Sequence, residues 1–589
     1  MSFLRRICQI KPHSSLLLAR RMSKIYVKNT KGDESLQISF EFCYNGKGRE
    51  FNAVRPKTES IEDTFKRISQ NIAKFFNKKS KRKRKQGEED PDALNISMKV
   101  FGPDGNSSIA LESTSEEALK HGNVVTISSE KYTVDVNPPY CHSILLPQIV
   151  MVGFPIYPKL DTEFCSLDDS VYVWEKVKYT EVAANNDNKS NQQELERTEV
   201  CRCLSYSAVN DDIGYKLALT VTPKCGDRLG KSVSSESKFE VTAGPGLCPF
   251  EERQKWTEKL TDYDELRVVS YNILADVYAD QDFSRDVLFN YCPPYALSID
   301  YRKHLIVKEL QGYNADIVCL QECDTKVFDW DLTNVFSVLG FQGHLREKDG
   351  VREGSAIFFR KSKFRLIEEH GTVLREFLET DKSCEDLVNK TYNVAALKEV
   401  LETRSTILHV LALEPLHRPG QVLLVANTHL YFHPDCAHIR LVQTLTSLRF
   451  LEKLMHTYRK QKPTIIFCGD FNSTPEKGIY TLMTTKEISE HHADWTRGGE
   501  DQFAQGMNFT HNFSFASGCG LPAYTNFTNG FHGHLDYVYY DNGAFEVAQV
   551  VPPPDHRDVE FHTAIPSIVF PSDHIAQICD LKWKSVSHL

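Results

Sequence analysis

Residues 464–475, TIIFCGDFNSTP, join an apolar run of strand length to two polar side chains, Asp470 and Asn472. The run 464–468 has the length and the β-branched content of a strand. Overall hydrophobicity does not explain a carboxylate and an amide placed directly after it. This stretch therefore predicts a strand with functional polar residues at its carboxyl end.

The same arrangement recurs along the whole second half of the chain. Helical stretches such as 438–456 separate several of the apolar runs, which predicts a layered α/β domain over 256–589 in which helices cover the sheets. Residues 374–404 are charged and predict a helical insertion. The apolar runs are 268–273, 317–320, 356–359, 407–413, 422–427, 464–468, 535–540 and 575–581.

Six of the predicted strands end in polar side chains. Carboxylate and amide oxygens are hard ligands that suit Mg²⁺ or Mn²⁺. The sequence offers neither a Cys/His spacing typical of zinc nor a P-loop for NTP hydrolysis. The strand-end residues are Asn272, Glu322, His429, Asp470 with Asn472, Asp536, and Asp573 with His574.

Taken in this order, these motifs resemble the endonuclease/exonuclease/phosphatase family of magnesium-dependent phosphodiesterases, over about 267–583. The segments YCPPYAL (291–297), DYRK (300–303) and 429–443 are similar to the deadenylase branch of that family. The upstream half lacks the leucine-rich repeats of the large cytoplasmic deadenylase. The resemblance implies an α/β fold in which a two-layered β-sandwich is flanked by helices.

Phosphodiester hydrolysis needs neutralised phosphate charge, a deprotonated water and a stabilised leaving oxygen. We expect Glu322 to hold the principal Mg²⁺, and Asp573 to contact metal. Asp470 and Asn472 either complete a second metal position or polarise the attacking water, and Asp470 is the natural base. Asn272 is expected to ligate metal or phosphate.

The two histidines are expected to act on the phosphate. His574 would stabilise it, because the resemblance implies that Asp536 accepts the other ring proton and orients the imidazole. His429 would donate a hydrogen bond to the phosphate or to the leaving group. Taken singly, Asp536 or His429 would more often be a structural polar group.

The resemblance also implies a substrate. Pro434 and Phe531 fall at the positions that contact adenine in the deadenylase branch, although Phe531 alone is equally well explained by loop packing. Since the chain has a net charge of −9, local basic residues such as Arg302, Lys303 and Arg440 would have to anchor the phosphates.

The function implied is a metal-dependent phosphodiesterase, a 3′-exoribonuclease that degrades single-stranded oligo(A) and poly(A), including 2′,5′-linked oligoadenylate, and releases AMP. The sequence does not choose between 2′,5′ and 3′,5′ linkages. The alternatives are a family member that acts on DNA or phospholipid, and a catalytically silent RNA- or protein-binding scaffold. The silent scaffold predicts loss of the metal-ligating residues, whereas Glu322, Asp470, Asn472 and Asp573 are all present.

Composition excludes several classes of protein. With 41% hydrophobic and 25% charged residues in 589, the chain is neither collagen-like nor disordered as a whole. It has no uninterrupted apolar run of about 18 residues, so membrane insertion is not expected. Its 16 cysteines follow no repeating interval, which favours free thiols in a reducing compartment, including Cys201 and Cys203.

The first thirty residues differ from the rest of the chain. Residues 1–30 carry seven Lys or Arg and no Asp or Glu, a composition typical of a mitochondrial transit peptide and hence of a matrix protein. The alternative is a disordered basic tail. A second basic run, 78–85, is either a site for RNA or nuclear import, or a solvated loop.

Two further domains are predicted between this segment and residue 256. Region 31–140 is compatible with a β-grasp-like α+β unit, whose helix has an apolar stripe from Ile61 to Phe75 and an N-cap at Ser60. Region 150–243 shows the short alternating runs of an antiparallel β-sandwich, with Trp174 as its core aromatic residue. A Gly-Pro-Gly linker at 244–246 follows.

Overall fold

The computed structural model describes residues 23–76, 94, 96–182, 191–497, 504 and 506–584. The chain folds into two compact units. The first contains the described residues up to Ile144, with Leu160–Val173 and Thr220–Ser234; the second contains Leu145–Lys159, Trp174–Leu219 and the residues from Ser235 onward. None of the helices in these ranges is long and apolar enough to cross a membrane.

The first unit contains a six-stranded sheet and the predicted amphipathic helix. The stripe prediction is confirmed, since Ile61, Phe65, Ile68 and Ile72 are buried in α1, while Phe75 remains exposed. Ser60 accepts a hydrogen bond from the backbone N–H of Asp63 at 3.2 Å, as an N-cap does. The elements are β1 (Ser23–Lys28), β2 (Ser35–Tyr44), β3 (Lys47–Pro56), α1 (Ile61–Phe76), β4 (Met98–Phe101), α2 (Ser115–Ala118), β5 (Val124–Ile127) and β6 (Glu130–Val136), in the sheet order β3-β2-β1-β6-β5-β4.

Strand β1 lies within the basic segment 1–30. It lies inside the sheet, antiparallel to β2 and parallel to β6, and it buries Ile25 and Val27. A removable segment that reached residue 30 would take this strand with it. Residues 1–22 and the basic run 78–85 lie outside the described residues.

The region predicted as a sandwich contains one five-stranded sheet, in the order β11-β10-β13-β14 with β15 on β13, and the two-stranded pairs β8–β12 and β7–β9. Trp174 is fully buried and donates its indole N–H to the carbonyl of Cys203 at 2.9 Å. Cys201 and Cys203 form a disulfide, so the expectation of free thiols is wrong for this pair. The strands are β7 (Tyr140–Leu145), β8 (Pro155–Ile156), β9 (Lys159–Glu163), β10 (Ser166–Val182), β11 (Asn191–Cys201), β12 (Tyr206–Ser207), β13 (Lys216–Cys225), β14 (Arg228–Leu229) and β15 (Val233–Glu236).

The remainder of the second unit is built on two six-stranded sheets. Sheet 1 has the order β18-β19-β17-β16-β31-β30, and sheet 2 has the order β20-β21-β22-β23-β29-β26. The strands are β16 (Glu265–Asn272), β17 (Ile317–Asp324), β18 (Phe341–Glu347), β19 (Glu353–Arg360), β20 (Phe364–Val373), β21 (Ile407–Pro415), β22 (Leu423–His429), β23 (Thr464–Asp470), β24 (Glu487–Ile488), β25 (Phe509–Thr510), β26 (Phe515–Ser517), β27 (Asn526–Thr528), β28 (Phe531–Gly533), β29 (Asp536–Asp541), β30 (Phe545–Val550) and β31 (Gln577–Trp583).

Twelve short or medium helices complete this part of the described chain. The predicted helical insertion is confirmed, because 374–404 forms three of them, α9 to α11. The helices are α3 (Phe250–Gln254), α4 (Asp276–Ala279), α5 (Pro294–Leu297), α6 (Ile299–Gly312), α7 (Thr325–Val327), α8 (Thr333–Val338), α9 (Leu374–Thr380), α10 (Glu385–Thr391), α11 (Ala395–Thr403), α12 (Ala437–Thr457), α13 (Gly478–Thr485) and α14 (His556–Glu560).

The unbroken apolar runs reflect burial on both faces of each strand. In β22, Leu423 and Val425 join the core shared by the two sheets, whereas Leu424 and Ala426 join a second core that includes residues of α12. Successive side chains of a strand point to opposite faces, so only a strand covered on both sides is apolar throughout. The predicted fold, a two-layered β-sandwich flanked by helices, is confirmed.

Candidate active site

The strand-end residues meet because neighbouring strands end together. In sheet 1, Asn272 is paired with Gln321 across the parallel strands β16 and β17, and Glu322 follows. In sheet 2, His429 is paired with Asp470 across the parallel strands β22 and β23. Asp536 begins the antiparallel strand β29 directly opposite Asp470.

Two of these residues have a left-handed backbone conformation. The φ angle of Glu322 is 53° and that of Asn472 is 49°. Glu322 lies where the register of β17 against β19 shifts, between Leu320 and Cys323. Such irregularities redirect a side chain and tend to occur at functional sites. Here the bulge turns the Glu322 carboxylate towards Asn272.

Asn272 links the carboxylates of the two sheets. Its Nδ2 lies 3.1 Å from Glu322 Oε1 and 3.1 Å from Asp470 Oδ2. Its Oδ1 accepts the backbone N–H of Leu274 at 3.0 Å. The amide therefore presents protons to the two carboxylates, which favours a positioning role over the predicted role as a metal ligand.

His429 lies between the same two carboxylates. Its Nε2 is 3.6 Å from Asp470 Oδ2, and its Nδ1 is 3.8 Å from Glu322 Oε1 and 3.5 Å from Lys348 Nζ. Burial and the nearby Lys348 ammonium lower the pKa of His429 well below its usual value. This imidazole is therefore neutral at physiological pH.

His574 has the opposite charge state. Its Nδ1 contacts Asp536 Oδ2 at 2.8 Å, and its Nε2 lies 3.6 Å from Asp470 Oδ2. Burial opposes protonation, but the carboxylates of Asp536, Asp573 and Asp470 outweigh it and raise the pKa of His574 well above its usual value. The structure thus contains the predicted Asp536–His574 pair and gives it a cationic imidazolium.

The site contains more negative charge than its cations neutralise. Burial, followed by the charges of Asp573 and Glu353, raises the pKa of Glu322 to about 7. Burial and the charge of Asp536 raise the pKa of Asp470 to about 7. Crowded carboxylates with raised pKa values fit a bound divalent cation, which removes the repulsion between them.

Ligand atoms for such a cation are close together. One carboxylate oxygen from each of Asp470 and Asp536, together with one ring nitrogen of His574, lies within 4.8 Å of the other two, and Asp536 Oδ1 is buried without a hydrogen-bond partner among the described residues. Because His574 is protonated, the carboxylates are the ligands in this group and the imidazolium contributes only its charge. Asn472 donates its backbone N–H to Asp470 at 2.9 Å and its Nδ2 to the carbonyl of Leu430 at 2.9 Å, which leaves its Oδ1 available.

The two residues predicted to contact adenine are both exposed. Pro434 lies in the loop after β22, where its carbonyl accepts Arg440 Nη2 at 3.2 Å. Phe531 is 47% exposed, and its ring covers Gly533, where an added Cβ would lie 2.9 Å from Phe531 Cζ and 3.3 Å from Thr474 Cγ2. The Phe531 ring therefore lies next to the loop that carries Asn472.

Sequence reasoning missed two charged residues of the site. Lys348 Nζ lies 2.7 Å from Glu353 Oε1 and is the cation that faces His429. Glu353 is fully buried and also accepts the hydroxyl of Tyr278 at 3.2 Å. Lys348 lies in the turn between β18 and β19 and Glu353 is the first residue of β19. In sequence this charged hairpin resembles a solvent-exposed turn, so no motif pointed to either residue.

The three residues predicted to anchor phosphates use most of their donors within the fold. Arg302 is fully buried and donates to the carbonyls of Leu297, Ile273, Leu274 and Pro571. Arg440 donates to three carbonyls of the loop after β22. Lys303 is paired with Asp300 and Asp331 at 2.9 and 3.4 Å. Each of these cations stabilises the local fold.

Comparison with known proteins places this site in a family. Residues 269–574 match the family model described as the endonuclease/exonuclease/phosphatase family, and residues 138–242 match one described as a 2′,5′-phosphodiesterase 12-like N-terminal domain. A curated relative from Rattus norvegicus, 2′,5′-phosphodiesterase 12, is 39% identical over 587 residues, covering 96% of this chain and 95% of the relative.

Two more distant proteins match a little over half of the chain. The CCR4-Not complex 3′-5′-exoribonuclease subunit Ccr4 of Schizosaccharomyces pombe is 28% identical over 350 residues, which cover 54% of this chain and 49% of that protein. A crystal structure of ANGEL2, described as a 2′,3′-cyclic phosphatase, matches with 22% identity and a TM-score of 0.45, over 55% of this chain and 96% of that one. From the family model and the full-length relative, the chain belongs to the endonuclease/exonuclease/phosphatase family, in the group of the 2′,5′-phosphodiesterase 12 proteins.

Proposed function

We propose that this chain is a phosphodiesterase that removes AMP from the 3′ end of single-stranded oligo(A) and poly(A), including 2′,5′-linked oligoadenylate, with Mg²⁺ as its metal. The observation that carries the proposal is the meeting of Asn272, Glu322, His429, Asp470 and the Asp536–His574 pair at one end of two sheets. A catalytically silent scaffold protein would not be expected to retain such a cluster of buried charges.

The proposed roles follow from charge and position. Asp470 accepts the proton of the attacking water, because its carboxylate is the group shared by Asn272, His429 and His574. Asp536 holds the imidazolium of His574, whose Nε2–H, on the side of Asp470, stabilises the negative charge that grows on the phosphate. Asn272 keeps the Glu322 and Asp470 carboxylates in place during the reaction.

His429 and Lys348 have separate tasks on the other side of Asp470. The neutral His429 donates one ring N–H to the phosphate or to the leaving oxygen, and Lys348 adds a positive charge beside it. Glu322, Asp573 and Asn472 would hold a divalent cation, and the Asp470 carboxylate is linked to Glu322 through Asn272. When bound, that cation supplies charge neutralisation on the phosphate and activation of water.

Product analysis tests this proposal directly. The purified chain is incubated with Mg²⁺ and with 3′,5′-linked oligo(A), oligo(U) and 2′,5′-linked oligo(A), and the products are separated. Release of AMP one nucleotide at a time from the 3′ end of both oligo(A) substrates is expected. Absence of hydrolysis on all three substrates would contradict the proposal and would favour a silent binding protein or a family member that acts on DNA or phospholipid.

Base preference gives a second test, at Phe531. We expect Phe531→Ala to raise KM for oligo(A) about five- to 150-fold and to weaken the preference over oligo(U), because stacking on one base contributes about 1–3 kcal/mol. Salt dependence should stay the same, since no charge is removed. Equal losses on oligo(A) and oligo(U) would assign Phe531 to packing over Gly533 instead of base choice.

We further propose that the protein works in the mitochondrial matrix and is processed before Ser23. A chain that starts at Ser23 should keep the melting temperature of the N-terminal unit, whereas one that starts at Lys31 should lose that unit's folding transition. The reason is that β1 pairs with both β2 and β6. The check is N-terminal sequencing of the mitochondrial protein, followed by calorimetry of both chains; a mature terminus beyond Lys28 would contradict the proposal.

A further inference from the structure

The loop between β22 and α12 is held rigidly beside the active site. Asn472 Nδ2 donates to the carbonyl of Leu430 at 2.9 Å, and the Gln443 amide oxygen accepts the backbone N–H of Tyr431 at 3.0 Å. Arg440 then binds the carbonyls of Tyr431, His433 and Pro434. The backbone from Leu430 to Pro434 is thus fixed at almost every residue.

Phe432 is exposed in the middle of this fixed loop. Its side chain is 69% exposed, and its ring contacts the Tyr431 ring at a centroid distance of 5.3 Å and an interplanar angle of 67°. Tyr431 is itself held by the Arg404 guanidinium, 4.6 Å from its ring centroid, and lies parallel to His433. The neighbours of Phe432 are therefore fixed, while most of its own ring faces solvent.

The position of Phe432 relative to the catalytic residues indicates which ligand its ring contacts. Phe432 is three residues from His429, so its Cα lies within about 11 Å of the His429 Cα. That is the range of one nucleotide next to the scissile phosphate. Aromatic rings of this kind stack on bases of single-stranded RNA, which are free to be splayed out.

We propose that Phe432 is a stacking platform for the base of the penultimate nucleotide of the RNA, a second base site beside the one assigned to Pro434 and Phe531. The inference rests on the proposed function, because it takes single-stranded RNA as the substrate. Every base has a π-face, so any base can stack on a single aromatic ring. Without polar groups that contact the base edges, such a ring does not distinguish one base from another. The second site is therefore tolerant of base identity, unlike the first.

The test measures RNA affinity in the Asp470→Asn chain, which is expected to bind RNA without cleaving it. Three probes are compared by fluorescence anisotropy in Mg²⁺: oligo(A), oligo(U), and oligo(A) with an abasic ribose at the penultimate position. Adding Phe432→Ala should weaken binding of oligo(A) and of oligo(U) about five- to 150-fold, and should leave the affinity for the abasic probe unchanged. The matched control is Tyr263→Ala, because Tyr263 is 71% exposed and precedes the opposite end of β16 from Asn272.

The possible outcomes separate this inference from the proposed function. Equal weakening on the intact and the abasic probe, or no weakening on either, would overturn the stacking site, even if the wild-type chain degrades oligo(A). A loss on oligo(A) alone would assign Phe432 to adenine choice and would also overturn the second site. A chain that neither cleaves nor binds any of these RNAs would remove both the proposed function and the inference.

Discussion

Replacing Asp470 with asparagine is expected to lower kcat by about 10³- to 10⁶-fold while leaving the fold and RNA affinity close to those of the wild type. The carboxylate is the proposed proton acceptor, and losses of this size follow removal of a central catalytic group. Asparagine retains the oxygen that accepts the backbone N–H of Asn472. It cannot accept a proton, and its amide nitrogen would face the donors of Asn272 and His574.

Single-turnover measurements with saturating enzyme check this expectation, since they separate chemistry from product release. The matched control is Asp541→Asn, because Asp541 lies at the opposite end of β29 and accepts Thr464 Oγ1 at 3.1 Å. This control should turn over at close to the wild-type rate. If Asp470→Asn retained turnover within about tenfold of the wild type, Asp470 would not be the base.

Much of the site could be predicted because it follows from strand order and strand ends. Apolar runs that end in Asn272, Glu322, His429 and Asp470 are visible in the sequence, and the carboxyl ends of neighbouring parallel strands lie together. Asn427, two residues before His429 in β22, ties the two sheets together near the site. Its amide donates to the carbonyls of Leu320 and Ala356 in sheet 1 and accepts Gln321.

Charged residues that reach the site only through the tertiary fold could not be predicted from the sequence. Lys348 and Glu353 come from a hairpin whose sequence is typical of a solvent-exposed turn, and only the tertiary fold buries Glu353 next to Tyr278. Arg302 is the reverse case: the sequence suggested a residue that binds phosphate, whereas the structure shows a buried side chain that contacts the backbone. A fully buried guanidinium needs several acceptors, and four backbone carbonyls provide them.

The composition of the N-terminal segment also gave no sign that a strand begins at Ser23. Residues 23–28 share the basic, acid-free character of the segment before them, and two of their side chains are Lys. Yet Ile25 and Val27 alternate with exposed residues and are buried in the sheet. A period-two pattern of only six residues is too short to outweigh the composition of its surroundings, so tertiary pairing with β2 and β6 decided the structure.

Crowding of carboxylates links the catalytic power of this site to the stability of its fold. Glu322 is nearly buried and lies close to the charges of Asp573 and Glu353, with Lys348 as the nearby cation that offsets them. Without a divalent cation, the folded protein carries this repulsion as a cost. Stability measured with and without metal should therefore reveal which residues hold the metal, independently of any activity assay.

Glu322→Gln is expected to abolish turnover and, at the same time, to stabilise the metal-free protein at alkaline pH. Since the pKa of Glu322 is raised from 4.5 to about 7 in the folded state, its ionised form disfavours folding. The sign follows from linkage: the cost is absent below pH 4.5, grows as the pH rises, and is complete above about pH 7. It reaches about 3 kcal/mol when the group is fully ionised.

One lost hydrogen bond reduces this gain. Glu322 accepts Asn272 Nδ2 on one oxygen and the backbone N–H of Ala275 on the other, and glutamine can accept only one of them, at a cost of about 1 kcal/mol. We therefore expect that, in EDTA at pH 5, the melting temperature of Glu322→Gln equals that of the wild type or lies slightly below it. At pH 8 the free energy of unfolding of the variant should exceed that of the wild type by about 2 kcal/mol.

Addition of Mg²⁺ should reverse this order, because a cation that binds the folded state stabilises it, and does so more the more tightly it binds. The wild type should gain stability at pH 8 and the variant should gain little. Glu309→Gln is the matched control: Glu309 is a buried carboxyl with a raised pKa that accepts the hydroxyls of Tyr271 and Tyr313 away from the strand ends. It should keep both turnover and the response to Mg²⁺. If Glu322→Gln were destabilised at every pH and still responded fully to Mg²⁺, Glu322 would be a structural residue and the metal would be held by the carboxylates around Asp470.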